Sequence, residues 1–233
     1  MVNHFRSIGV WGDSVLKGVV QDALTRKYSV VSGAGIGGAA ADLGISLINR
    51  SHFGFTVSRG KEALKKDLSR GIDCEAAILE YGGNDCDFDW AAIAKSPNDQ
   101  HLPNTPLEQF IAELRELVEM VQKRGIRPIL MSLPPLVPER YFRHITAPAG
   151  TADTIETWLG DVGYLYRWHE LYSNAIVRLA GELDVLLLDV RSAFLGQRGY
   201  QRLLCEDGIH PSAQGQSVIG RVFAELMHRL TLA

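Results

Sequence analysis

Gly12-Asp13-Ser14 closes an apolar run from Phe5 to Trp11 and opens a helical pattern at Val15 and Leu16. Ser and Asp are preferred where a helix begins, because its first N–H groups lack partners and need an acceptor. The same serine is a nucleophile if a base can take its proton before it attacks an acyl carbon. The segment CEDGIHPSAQG, residues 205–215, supplies one. Asp207 stands three residues before His210, and Pro211 falls at the expected first position of the last helix, where its missing N–H costs nothing. Proline also biases His210 toward extended backbone, at the lip of the helix. Asp207 can then accept from one ring nitrogen while the other faces a serine. A third stretch, Gly82-Gly83-Asn84-Asp85, lets backbone approach a reacting group, and the Asn84 amide is a donor of the kind that stabilises a tetrahedral oxyanion. The plain readings of these residues are a helix cap, a solvated loop histidine and an Asn-Asp turn.

Such groups meet only if the fold brings them together. Apolar runs at Phe5 to Trp11, Tyr28 to Val31, Ala76 to Tyr81, Pro128 to Leu133 and Val185 to Val190 have strand length and alternate with helical patterns. This alternation predicts a five-stranded parallel sheet in an α/β protein. Leu107, Phe110, Ile111, Leu114, Leu117, Val118 and Val121 form one helical stripe, and Val218, Ile219, Val222, Phe223, Leu226, Met227 and Leu230 form another. Both stripes read as core. In an open parallel sheet, ligands lie at the carboxyl ends of the strands, where the three polar stretches and the glycine-rich Gly33 to Gly38 are expected. Two long irregular stretches, about 86–106 and 134–163, are expected as active-site loops.

At 233 residues and 46% hydrophobic composition, the chain reads as one domain spanning 1–233. A net charge of -3 without a basic stripe argues against a nucleic-acid partner. The sequence shows no apolar stretch of bilayer length, and its three cysteines, Cys74, Cys86 and Cys205, show neither disulfide nor zinc spacing. The expected location is the cytoplasm.

The string Gly33-x-Gly35-x-x-Gly38 matches a dinucleotide fingerprint, yet the stretch FGFTVSRG that follows lacks the ribose-binding acid. Asp13, Asn84, Asp85, Asp207 and His210 suit a two-metal phosphoesterase in type, but only His210 of seven histidines lies in an acidic motif. No metal and no organic cofactor are therefore expected. A non-catalytic binding module is the alternative from another class.

In this order the fragments resemble the blocks of the SGNH hydrolases, the GDSL esterase and lipase family. Gly12-Asp13-Ser14 resembles the first block, Gly38 the second-block glycine, Gly82 to Asp85 the third block and Asp207-x-x-His210 the fifth; Tyr172-Ser173-Asn174 resembles part of a family helix. Two departures stand out. Val15 replaces the usual Leu, and the Asn that usually precedes the second-block glycine is missing where Ser32 and Gly33 stand. The resemblance implies a flavodoxin-like α/β/α sandwich with a catalytic triad of Ser14, Asp207 and His210. It implies an oxyanion hole formed by the Ser14 N–H, the Gly38 N–H and the Asn84 amide. The implied function is hydrolysis of small-molecule esters through an acyl-serine intermediate. Lacking a long apolar lid, the site is expected to take short-chain or carbohydrate-linked acyl esters. Lysophospholipase, thioesterase and acyltransferase chemistry would use the same groups.

Overall fold

The computed structural model describes residues 5–31, 33–147 and 150–232. The chain begins with β1 (Ser7–Gly12), α1 (Ser14–Lys17), β2 (Val19–Gln21), β3 (Tyr28–Val30), α2 (Gly35–Asp42) and β4 (Ser46–Asn49). It continues through α3 (Val57–Ser69), β5 (Ala76–Glu80), α4 (Trp90–Lys95), α5 (Leu107–Gln122), β6 (Arg127–Met131) and α6 (Pro138–Ile145). The last elements are α7 (Ala152–Leu159), α8 (Gly163–Glu182), β7 (Leu186–Leu188), α9 (Val190–Leu195) and α10 (Ala213–Leu232).

The five-stranded sheet has the order β4-β1-β5-β6-β7, and every pair is parallel. Period-two alternation divides its side chains between two cores. Ile8, Val10, Ala76, Ile78, Ile129 and Met131 face the layer of α2, α9 and α10. Trp11, Ala77, Leu79, Tyr81 and Leu130 face α3, α5 and α8, where the stripe from Phe110 to Val121 is buried. Helices thus flank both faces of the sheet.

One expected strand is elsewhere. Tyr28 to Val31 yields β3, which pairs antiparallel with β2 in a separate two-stranded ribbon. All three β3 residues are exposed, whereas a strand inside a doubly covered sheet must be buried on both sides. The parallel sheet takes Ser46–Asn49 instead, from a stretch that reads as helix because of its alanines. Gly44, with φ 67, ends that helix and lets the chain turn into the strand. Ser32, at the expected second block, lies outside the described residues.

Gly35 of the apparent dinucleotide fingerprint serves packing between α2 and α10. A Cβ on Gly220 of α10 would stand 2.5 Å from the Gly35 carbonyl oxygen, and one on Gly35 would stand 2.6 Å from Gln216 Oε1. Nor are the long stretches irregular throughout: 86–106 contains α4, and 134–163 contains α6 and α7. Each is too short for its periodicity to stand out, and together they build a third core from Phe88, Ile93, Leu136, Tyr141, Ile155, Leu159 and Leu165. Among the described residues, no helix is long and apolar enough to cross a membrane.

Gly60 of α3 packs on the fully buried ring of Tyr81, where a Cβ would come 2.2 Å from Cζ. Overpacking of this kind costs about 1–3 kcal/mol. It opposes the gain of about 1 kcal/mol that Ala usually brings over Gly inside a helix. Gly60→Ala should therefore lower the urea unfolding midpoint; a raised midpoint would mean that Tyr81 can move aside.

Candidate active site

The helix-cap question raised by Asp13-Ser14 has a geometric answer. Asp13 is the N-cap of α1, its Oδ1 accepting from Val15 N–H at 2.8 Å. Capping is thus done by the acid, and the Ser14 hydroxyl is left to face His210 Nε2 at 3.0 Å. His210 Nδ1 lies 2.8 Å from Asp207 Oδ2. The other carboxylate oxygen of Asp207 accepts from the N–H groups of Ile209 and His210, at 3.0 and 3.1 Å. Burial alone would raise the pKa of Asp207. The bonds from the His210 ring and from these two amides outweigh it and hold the carboxyl below its ordinary value. An ionised Asp207 favours the proton on Nδ1, so that Nε2 is free to accept from Ser14.

The loop carrying Asp207 and His210 is fixed from both sides. Gly208 has φ 78, and a Cβ there would stand 2.6 Å from Tyr141 N and 2.7 Å from Val137 O. Its own carbonyl accepts from Val137 N–H at 2.8 Å. Pro211 is not the first helical residue as expected. It forms a bridge with Leu204, and α10 starts at Ala213 behind Ser212, whose hydroxyl accepts from Gly215 N–H at 3.2 Å. A hydroxyl that satisfies an orphan N–H outweighs the helix preference of proline. The His210 ring stacks against Phe53 at 5.8 Å between centroids and lies 5.1 Å from Tyr28.

Asn84 follows β5, as expected, and its Nδ2 donates to Asp13 Oδ2 at 2.9 Å and to Phe55 O at 3.1 Å. Gly38 does not join the group. It lies inside α2, fourth from the helix start, and its chain neighbours, unlike Phe53 beside Gly54, do not line the cavity. The physical reason is the strand exchange: α2 follows the β2-β3 ribbon, and the loop after the true edge strand is 50–55. That loop is tied to the end of β1 by His52 N–H donating to Gly12 O at 3.0 Å. Gly54, with φ 70, lies between Phe53, which stacks on His210, and Phe55, which receives Asn84. Asn49 stands five residues before it, the signal that sequence reasoning missed, and donates to Leu16 O at 2.8 Å.

Ser14, Asn84 and His210 open into a cavity of about 240 Å³ walled by apolar side chains, among them Phe53, Phe88, Leu133, Leu165 and Trp168. Among nearby aromatic side chains, Tyr141, Tyr164 and Trp168 line it, while Phe142, Trp158 and Tyr166 do not. His169 also lines it, unannounced by any motif. Its Nδ1 is 3.4 Å from Arg191 Nη1, a group that can only donate, so the imidazole proton resides on Nε2. Burial and the Arg191 charge hold its pKa down to about 3. Among the described residues, no group of three His, Cys, Asp or Glu side chains is arranged to hold a metal ion.

A model of the GDSL-like Lipase/Acylhydrolase family matches residues 7–218. The GDSL esterase/lipase CPRD49 of Arabidopsis thaliana is 26% identical over 178 residues, 74% of this chain and 62% of that protein. The isoamyl acetate-hydrolyzing esterase of Saccharomyces cerevisiae is 26% identical over 180 residues, 75% and 65% of the respective chains. The chain thus spans a little under two thirds of these relatives. Among solved structures, a carbohydrate acetylesterase family member from Sinorhizobium meliloti superposes with a TM-score of 0.68 at 17% identity, covering 98% of this chain and 100% of that one.

Asp85 fastens the site to the scaffold, its Oδ1 and Oδ2 accepting from Val57 N–H at 2.9 and 3.2 Å at the start of α3. Burial, reinforced by the nearby Asp13 charge, raises its pKa from 3.8 to about 7 against the bonds from Thr105 and Val57. Between these values the folded state binds more protons than the unfolded chain, so this group makes stability fall as pH rises through that window. Asp85→Asn keeps an acceptor for Val57 and removes the titration. Its unfolding free energy, followed by urea titration at stepped pH, should decline less from about pH 4 to about pH 7 than that of the parent. An unchanged slope would refute this assignment.

Proposed function

Because the chain belongs to the GDSL-like lipase/acylhydrolase family, matched over residues 7–218, we propose that it is a serine ester hydrolase working through an acyl-serine intermediate. The observation that carries this reading is the line Ser14 Oγ, His210 Nε2, Nδ1, Asp207 Oδ2, with spacings of 3.0 and 2.8 Å, opening into an apolar cavity. His210 takes the Ser14 proton as Oγ attacks the acyl carbon, and Asp207 stabilises the imidazolium. The tetrahedral intermediate collapses, the C–O bond to the alcohol breaks, and the alcohol leaves with the proton from His210. Water then repeats the sequence on the acyl-serine, releasing the acid and restoring the hydroxyl.

The oxyanion is held by the Ser14 N–H, by the Asn84 amide, which gives up one of its two bonds to Asp13 and Phe55 O to reach it, and, in place of Gly38, by the Gly54 N–H. Gly54 is supported by its position between two residues that contact the site. A cavity of about 240 Å³ is small beside the several hundred Å³ that drug-sized ligands occupy. It favours short-chain acyl esters with compact alcohols, and the yeast relative that hydrolyses isoamyl acetate supports that choice. Carbohydrate-linked esters remain in the substrate panel. Three free cysteines support a cytoplasmic location.

An organophosphonate should label Ser14, with peptide mass mapping locating the adduct and Ser14→Ala abolishing both label and hydrolysis of short-chain p-nitrophenyl esters. A label on another serine would overturn the reading. Asn84→Ala should lower kcat about 10²- to 10³-fold with KM within a few-fold, since the oxygen it serves carries full charge only in the intermediate. A steep rise in KM at constant kcat would make Asn84 a substrate-binding residue instead.

A further inference from the structure

One buried acid has no part in the chemistry above. Glu80 ends β5 in the same row as Ala76 and Ile78, which face the apolar core, and it is 1% exposed. A carboxyl in that row breaks the pattern that otherwise builds the sheet, and such a break needs a local reason. Its Oε2 accepts from Asp13 N–H at 3.1 Å, its Oε1 has no protein partner among the described residues, and it lines the cavity. Gly12 makes this approach possible, since a Cβ there would stand 2.7 Å from Oε2.

Asp13 and Glu80 are both buried and joined through the Asp13 N–H, and two carboxyls on touching residues out of water favour one shared negative charge, because two like charges there repel strongly. Asp13 in turn receives the Asn84 amide at 2.9 Å and the Val15 amide at 2.8 Å. One connected path therefore runs from Glu80 through Asp13 to Asn84 and to the first turn behind Ser14. We propose that Glu80 is a positioning residue: it shares one proton with Asp13, which loosens Asp13's hold on the Asn84 amide so that an N–H can turn to the oxyanion, and which limits the negative charge beside it. The inference rests on the serine-esterase reading, in which Asn84 serves the oxyanion.

Two ionised carboxylates at this point would oppose the charge developing on the substrate and would draw the Asn84 amide toward Asp13. With one proton shared, the pair carries a single charge, and the Asn84 proton is less firmly held. Burial pushes Glu80 well above the usual carboxylate range, assisted by Asp13, and burial raises Asp13 as well. The other titratable groups around the pair are Asp85 and Tyr81 beside Glu80, and His210 across Ser14 from Asp13. Asp85 titrates at about 7, so Asp85→Asn is the control for any slope it adds.

The test compares Glu80→Gln with Glu80→Leu. Glutamine can donate to Asp13 and accept from its N–H without ionising; leucine can do neither. Glu80→Gln should keep kcat within a few-fold of the parent and lose the decline in kcat at alkaline pH that ionisation of Glu80 causes. Glu80→Leu should lower kcat about 10- to 100-fold at nearly constant KM, short of the loss for removing an oxyanion donor outright. Independently of turnover, and in an Asp85→Asn background so that Asp85 contributes nothing, the infrared band of a protonated carboxyl at neutral pH should be present with Glu80 and lost on Glu80→Gln. An unchanged band in Glu80→Gln, an unchanged alkaline limb, or a Glu80→Gln as impaired as Glu80→Leu would each overturn the proposal. Absence of Ser14 labelling and of all ester turnover in the parent would defeat the esterase reading and Glu80's role with it. A labelled, active parent with an unaffected Glu80→Leu defeats the role alone.

Discussion

All five strands of the central sheet run the same way, so their carboxyl ends deliver loops to a single edge, and every feature of the candidate site depends on that. The loop after β1 brings Asp13 and Ser14, the loop after β5 brings Asn84 and Asp85, and the segment before α10 brings Asp207 and His210. The backbone amides of these loops are only partly used by secondary structure. Carboxylates therefore find them readily: Asp13 takes Val15 N–H, Asp85 takes Val57 N–H and Asp207 takes two amides of its own turn.

These carboxyls experience different environments over a short distance. Asp207 collects enough donors to remain ionised despite burial, which suits a group that must steady an imidazolium. Asp13, Glu80 and Asp85 lie where burial prevails and their pKa values rise. One fold thus keeps an anion on the far side of His210 and restrains negative charge beside Ser14. The contrast follows the neighbours as well as the donors: Asp207 pairs with the His210 ring, whereas Glu80 and Asp85 face the charge of Asp13.

The cavity belongs to a different part of the chain from the reacting groups. Its outer wall comes from α4, α6, α7 and the start of α8, which share a small core separate from the two that sandwich the sheet. This core also reaches the loop of Asp207 and His210, since Tyr141 packs against Gly208. It also carries hydrogen-bonding groups that no motif announced, such as His169, whose tautomer is set by Arg191.

Much of this was legible in the sequence, because motif residues are local. Gly12-Asp13-Ser14, Gly82 to Asp85 and Asp207-x-x-His210 each needed only a few neighbouring residues to be recognised, and four of the five parallel strands declared themselves as buried apolar runs. What the sequence alone could not decide was which strand fills the edge of the sheet. Tyr28 to Val31 is more strand-like than Ser46–Asn49, but strand membership is settled by partners distant in the chain, and the exchange sets the loop that contains Phe53 and Gly54, not the start of α2, beside His210. Tertiary structure likewise decided that Asp13 caps α1 and that Glu80, one position in an apolar run, meets Asp13. Short-range pattern determined which residues could do chemistry; long-range pairing determined which of them meet, because a hydrogen bond depends on distance in space and not on separation along the chain.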